Sequence, residues 1–436
     1  MKKALLFIFF LLAFISQPLK AQSLYFPPLS GTANWETVSP ASLGWCVNQI
    51  DSLYTYLEHE NTKGFIVLKN GKIVLEKYFG TFTQDSLWYW ASAGKTLTAF
   101  LVGKAQEENY LHITDASSAY LGTGWTSCTP LQENLIKIRN QLTMTSGLDD
   151  GVPDNHCTLS SCLIYKADAG TRWAYHNAPY TLLEKVLETA TGTAVNTYTQ
   201  TKLKARTGIT GLWAMIDYDN VYFSKARSMA RFGLLMQNKC IWNTDTLLYD
   251  TAYIRQMTNT SQNLNNSYGY LWWLNGKTSY MVPTLQLVFP GSYAPNAPVD
   301  MFAGLGKNGQ IVSISKSKGI VMVRMGDASN AGEVPFQLCD HIWERLNAVM
   351  CNTTSVYKDK LPPGTVAVFP NPAHDFINLD MHTNENFQVE ISDVTGKQVI
   401  KSQNENKIDI SGLARGLYII TIRQRHNIIT QKLLKQ

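Results

Sequence analysis

A chain of 436 residues, 45% hydrophobic and 16% charged, has ample material for a buried core and too much length for one small domain. That composition excludes an intrinsically disordered protein. A net charge of +5 with no long basic run excludes nucleic acid as a partner held by a charged surface.

The chain opens with Met1-Lys2-Lys3, an apolar run from Ala4 to Ile15, and a short polar stretch from Ser16 to Gln22. Charged, apolar and polar regions in that order describe a secretory signal peptide over 1–21, cut near Ala21. The apolar run is too short for a bilayer span. No cysteine stands at the cleavage region to take a lipid.

Residues 41–58 carry a helical pattern through Ile50, Leu53 and Leu57. Phe65-Ile66-Val67-Leu68, Asn70-Gly71 and Ile73-Val74-Leu75 then predict a hairpin with a type I′ turn. Leu87-Trp88-Tyr89-Trp90 reads as a buried aromatic segment, followed by a helix over Thr96–Gln106.

Between them lies Ser92-Ala93-Gly94-Lys95. Serine and lysine three apart share a helix face. A desolvated, neutral lysine can take the proton from a serine held against it. The first helical turn also aims backbone N–H groups at developing negative charge. Ser313/Lys316, Ser315/Lys318 and Ser355/Lys358 match the same spacing, but they fall in a strand-and-turn run and a polar linker. Only the Ser92 match sits at a strand-to-helix junction.

Cys157 and Cys162 are near enough to close a small loop, and Cys339 and Cys351 form a second possible pair. Seven cysteines leave at least one thiol unpaired within the chain. Tyr175-His176-Asn177 precedes an amphipathic helix over Tyr180–Thr191. A phenol beside a cationic lysine can be held deprotonated or poised to relay a proton, and a neighbouring asparagine can hydrogen-bond a substrate amide. Tyr218-Asp219-Asn220 repeats the Tyr-x-Asn pattern and reads as a chance match. His156, in the cysteine-rich loop, and His176, alternating away from Tyr175, read as structural.

Strand signals return at Tyr268–Trp273, Ile311–Ile314 and Ile320–Val323, and a helix with Leu338, Ile342, Trp343 and Leu346 at helical spacing spans Phe336–Val349. Helix, strand pair, helical insertion, strands, helix is the order of an α+β antiparallel sheet flanked by its terminal helices, with a helical domain inserted. A cleft between sheet and insertion is a natural ligand site. Residues 352–365 read as a linker. From Val366 the chain turns to short strands separated by turn residues, a small β-sandwich.

Ser92-x-x-Lys95, Tyr175-x-Asn177, Gln141-Leu142-Thr143-Met144-Thr145-Ser146-Gly147-Leu148, Gly170-Thr171-Arg172-Trp173 and Tyr268–Trp273 together resemble the serine β-lactamase/penicillin-binding family. The branch they are most similar to is that of class C β-lactamase-related esterases and 6-aminohexanoate-dimer hydrolases, over about residues 40–350. The resemblance implies a β-lactamase/transpeptidase-like fold and an acyl-enzyme on Ser92, with Lys95 and Tyr175 as base and acid. It also implies substrate contacts from Asn177, an oxyanion hole from the backbone N–H of Ser92 and of a residue near Ala303, an ester or amide substrate of small-molecule or peptide-like kind, and no cofactor or metal. The family's third box, Lys-Thr-Gly, has its match at Asp300-Met301-Phe302, so the lysine that pairs with a β-lactam or peptide carboxylate is missing there, with Lys307 in the same loop as a substitute. β-Lactamase, D-alanyl-D-alanine carboxypeptidase and a catalytically inactive binding homologue are the rival expectations.

Val368-Phe369-Pro370-Asn371-Pro372-Ala373, Ile391–Lys397 and Gly416–Ile420 resemble the C-terminal sorting domain of type IX secretion. That implies export to the cell surface or medium by way of the periplasm, with the secretion machinery as a partner and the domain itself processed. The expected layout is a signal peptide 1–21, hydrolase domain 22–351, linker 352–365 and sorting domain 366–436.

Overall fold

The structure, a computed structural model, describes residues 24–30, 34–328, 332–351, 366–369, 371–381, 386–424 and 427–436. The expected signal peptide, the linker and the Ser355/Lys358 pair lie outside the described residues. Among those described, no helix is long and apolar enough to cross a membrane.

Helix α1 (Ile50–His59) leads into β1 (Thr62–Lys69) and β2 (Lys72–Tyr78). Asn70 and Gly71 between the strands have φ of 49° and 86°, the two positive values of the type I′ turn expected there. The predicted helix from residue 41 starts late. Gly44 turns left-handed (φ 71°), so 41–49 makes two short 3₁₀ turns instead.

Helices α2 (Lys95–Glu107) and α3 (Asn177–Thr191), strand β3 (Asp219–Ser224) and helix α4 (Ala226–Gln237) belong to the insertion between the hairpin and the rest of the main sheet. Strands β4 (Trp273–Leu274), β5 (Phe302–Gly306), β6 (Gln310–Ser315) and β7 (Ile320–Gly326) complete that sheet, and α5 (Phe336–Val349) closes the section at the predicted bounds. The sheet order is β2-β1-β7-β6-β5-β4, every pairing antiparallel. Neighbours on β6 point to opposite faces. Val312 meets α4 at Gly233, and Ser313 accepts a 2.9 Å hydrogen bond from the Trp343 indole of α5. Helices therefore cover both faces.

The predicted strand Tyr268–Trp273 is mostly a buried turn. Leu271 has φ 60°, which breaks the extended run, and only Trp273–Leu274 pairs with β5. Tyr268 and Trp273 pack with Trp173 and Tyr175, while Tyr270 meets Tyr253 and Trp272 meets Phe232 and Phe302, so the run is buried by ring packing and not along a ladder. Leu87, expected inside, is exposed, while Trp90 is fully buried.

The tail forms a three-stranded and a four-stranded sheet. They enclose their own core of Val368, Ile377, Val389, Ile391, Ile420 and Ile422, as a small sandwich should.

Cys157–Cys162 is bonded. The second pairing differs from expectation: Cys351 bonds Cys46, and Cys339 stays a buried thiol on α5. Cys351 follows α5, which packs beside α1, so its partner comes from the start of the fold. The bond joins residues 305 apart. Replacing Cys46 and Cys351 by serine is expected to destabilise the main unit by about 4 kcal/mol, because a loop of that size costs the unfolded chain much entropy to close. Guanidinium unfolding measures this; an unmoved midpoint contradicts it.

Candidate active site

Ser92 sits in a 3₁₀ turn, Ala91–Gly94, that runs directly into α2. Trp90 anchors the turn. Its indole donates to Ser224 Oγ at 2.8 Å and its ring meets Tyr222 edge-on. Ala91 is then held left-handed at φ 44°, a strained conformation for a residue with a Cβ, and the backbone turns Ser92 toward the cavity. Strand β5 passes close behind. A Cβ on Gly306 would fall 2.5 Å from Trp90 O and 3.0 Å from Ser92 N, so only glycine lets the strand come this near.

Lys95 Nζ donates to Ser92 Oγ and to Asn177 Oδ1, each at 2.8 Å. Asn177 is the first residue of α3. Pro179 is tolerated there in the first turn, and Gly192 ends the helix in the left-handed conformation. Tyr175 comes just before, and the Ser92 side chain lies near enough to its phenol to act on the phenol's proton affinity. Its ring stacks on Trp273, 5.7 Å between centroids. The rings of Tyr180 and Tyr175 lie 3.9 and 5.1 Å from Lys95 Nζ.

Burial strips water from the Lys95 ammonium and pushes it down to about 8, against the pull of Asp219, Glu333 and Glu184. Burial also pushes the Tyr175 phenol well above its usual value, with the nearby Ser92 side chain working the other way. Of the two states expected for this tyrosine, deprotonated or poised to relay a proton, burial favours the protonated one, which can give its proton. Buried Glu184, one face along α3, is pushed up to about 8, with Asn220 and Thr98 opposing. His176 is buried and pushed down to about 4 by desolvation, a neutral packing residue as expected.

Ser92, Lys95 and Asn177 meet in a cavity of about 1010 Å³ whose lining also includes Tyr89, Tyr180, Asp217, Asp219, Thr284 and Leu285; Tyr175 is buried and is not part of that lining. Two expectations fail here. Ala303 is fully buried between Trp273 and Ser313 and does not reach the cavity; Gly306 is the strand residue against Ser92. Asp300 likewise points elsewhere, accepting from Ser315 and Ser317 in the β6–β7 hairpin. The cavity end of β5 is its far end, where Lys307 and Asn308 line the mouth. The lysine judged missing thus has a counterpart one turn later. Buried Arg324 holds that turn by donating to the carbonyls of Gly309 (2.6 Å) and Asn308 (3.2 Å).

His156 is the third correction. It lines the cavity, its Nδ1 2.5 Å from Asp219 Oδ2 and its Nε2 3.1 Å from Asn177 Nδ2. Asp219 belongs to the Tyr-x-Asn match read as chance. Neither it nor Tyr180 or Glu333 carries a local signal, since loop 154–156, β3 and the 332–334 segment meet only in the folded chain.

The tail reaches the same cavity. His374, Arg415, Leu434, Lys435 and Gln436 line it, Leu434 packs into the main core, and Tyr280 Oη donates to Asn371 O at 3.4 Å. Cutting the chain at an engineered protease site within 352–365 and removing the tail is expected to raise kcat/KM for bulky acyl esters, with little change for acetyl esters. Equal values for both before and after cleavage would contradict this.

Residues 57–333 match the family model described as Beta-lactamase, and residues 367–436 match the Secretion system C-terminal sorting domain. Solved structures agree in fold. A provisionally named beta-lactamase from Bacteroides dorei shares 18% identity at a TM-score of 0.56, covering 70% of this chain and 99% of its own. A provisionally named 6-aminohexanoate-dimer hydrolase from Bacillus anthracis shares 17% at 0.55, covering 76% and 89%. The octameric penicillin-binding protein homologue from Pyrococcus abyssi shares 13% at 0.52, covering 89% and 96%. No curated protein matches the chain. The family model spans most of the chain, and its fold carries serine hydrolases. The tail is of the type IX class, which directs secretion to the cell surface. This chain belongs to the β-lactamase family of serine hydrolases and carries a C-terminal sorting domain for type IX secretion.

Proposed function

We propose that the protein is an exported hydrolase that cleaves an ester or amide bond through an acyl-enzyme on Ser92. The observation that carries this reading is the 2.8 Å contact between Ser92 Oγ and a Lys95 amine that burial brings toward neutrality. Neutral Lys95 takes the Ser92 proton as Oγ attacks the carbonyl carbon. The backbone N–H of Ser92 and one at the Gly306 end of β5 receive the oxyanion. The tetrahedral intermediate then collapses, and Tyr175 gives its proton to the departing alcohol or amine, regaining one from Lys95. Water, deprotonated by the same pair, releases the acid and restores Ser92.

The signal peptide over 1–21 would deliver the chain to the periplasm, and residues 366–436 would take it onward. A second reading, hydrolysis of a carboxylate-bearing substrate such as a β-lactam or a peptide terminus, draws support from Lys307 at the cavity mouth. A panel of p-nitrophenyl esters, p-nitroanilides and nitrocefin separates the two. We expect ester turnover to exceed nitrocefin turnover, with a serine-reactive phosphonate labelling Ser92. Dominant nitrocefin turnover would move the assignment to the second reading, and no acylation by any probe would sink both.

A further inference from the structure

The Asn177 amide is held from both sides. Glu333 Oε1, a carboxylate oxygen, faces one atom of the amide as an acceptor, which makes that atom the nitrogen and the atom 2.8 Å from Lys95 Nζ the oxygen. The amide nitrogen then faces acceptors: Asn155 Oδ1 at 3.0 Å, His156 Nε2 at 3.1 Å and Glu333 Oε1 at 3.2 Å. Asp219 Oδ2, a carboxylate oxygen 2.5 Å from His156 Nδ1, takes the ring proton there, which leaves Nε2 to accept as one of three neighbours for the two Asn177 N–H groups. Asp219 Oδ1 is held in turn by Thr181 Oγ1 at 3.1 Å. Thr181 stands four residues after Asn177, so one face of α3 carries both ends of this arrangement.

We infer that His156 and Asp219 form a positioning pair for the Ser92–Lys95 centre, fixing the Asn177 amide and through it the lysine amine. The order Asp219, His156, Asn177, Lys95, Ser92 is a continuous hydrogen-bonded series. Two features make it stiff. The Cys157–Cys162 bond closes the loop next to His156, and the Asp154 side chain accepts from the His156 backbone at 3.0 Å. Burial opposes the Asp219 charge, but the His156 contact, Lys95 and Thr181 outweigh it and hold the carboxyl below its usual range, so it remains an acceptor. His156 itself need not touch substrate. Misplacing a base by about 1 Å can cost on the order of a hundredfold in rate, so orientation of this kind carries weight.

This inference rests on the acyl-enzyme reading, and the tests tell the two apart. Full-length His156→Ala, His156→Gln, Asn177→Ala and His156→Ala/Asn177→Ala are assayed with p-nitrophenyl acetate, folding being checked by thermal melting. His156→Ala is expected to lower kcat about 30-fold with KM within about twofold. His156→Gln, whose amide oxygen can replace Nε2 as acceptor, is expected to recover most of that loss. The double variant should be no slower than Asn177→Ala alone, because the histidine acts through the asparagine. Wild-type kcat in His156→Ala, or losses that multiply in the double variant, would overturn the inference. Should His156→Ala fail to fold, Asp219→Asn decides: a drop in kcat of about tenfold supports the pair, and an unchanged kcat removes it. A dead Ser92→Ala beside an unimpaired His156→Ala sinks only the positioning role; an active Ser92→Ala sinks the chemistry beneath it.

Discussion

Ser92→Ala is expected to abolish ester hydrolysis, lowering kcat by at least about 10³-fold and leaving no covalent phosphonate label. The size of the effect follows from the arrangement. Two groups act on the Ser92 oxygen directly: Lys95 as its base and the turn at Ala91–Gly94 as its carrier. Without the hydroxyl, the cavity retains only substrate binding and its N–H donors, which accelerate attack by water weakly. The alanine loses one partly buried hydroxyl and its bond to Lys95, so the fold should persist. An unaltered melting curve with lost turnover is the result expected, and substantial turnover in a folded Ser92→Ala would place the nucleophile elsewhere.

The second large effect is on pH dependence. Lys95 must be neutral to accept the serine proton, and burial sets its value at about 8. Protonation below that value removes the base, so activity rises with pH through it and is lost as pH falls. About 1% of the base form remains two units below, so kcat/KM at pH 6 should be roughly a hundredfold lower than its plateau. No matching loss is expected just above the plateau, since the Tyr175 phenol is held protonated by burial. Glu184, pushed up to about 8 by burial, acts on Lys95 by its charge, after Asp219 and Glu333. Glu184→Gln removes a negative charge that favours the ammonium, and the midpoint should move to lower pH. Measured profiles of kcat/KM for wild type and Glu184→Gln check both signs; a flat profile from pH 6 to 9 would falsify the role of Lys95 as base.

What could be read from the chain was local. Asn70-Gly71 sets a two-residue turn by its own backbone preferences. Leu338, Ile342, Trp343 and Leu346 mark one face of a helix whatever lies against it. The tail's alternating strands pack into a sandwich because each buries every second residue, as Val389 and Ile391 do opposite Ile422 and Ile420. Ser92 and Lys95 are one helical turn apart, and that spacing alone makes their contact possible. Tyr175 and Asn177 needed the resemblance, because nothing in 175–177 states which distant helix it faces.

Pattern misled where packing overrode it. The aromatic run 268–272 has a strand's composition, but its rings pack into separate parts of the core, Tyr268 against Trp173 and Tyr175, Tyr270 against Tyr253 and Trp272 against Phe232 and Phe302, and the chain bends at Leu271. Cys339 looked like the partner of Cys351 by proximity in sequence, yet α5 buries it and leaves Cys351 beside Cys46. Ala303 and Asp300 carry the expected residue order, but the antiparallel register between β5 and β6 points the opposite end of β5 at the cavity.

The amino-acid order alone therefore determined the Asn70-Gly71 hairpin, the closing helix over Phe336–Val349, the strand character of the tail and the serine–lysine spacing, all of which depend on neighbours within a few residues. Only the tertiary structure decided that Lys95 is stripped of water, that His156 faces inward onto Asn177, and that Lys307 stands at the mouth. Desolvation and hydrogen-bond partnership arise from segments tens to hundreds of residues apart, and no local pattern encodes which of them will meet.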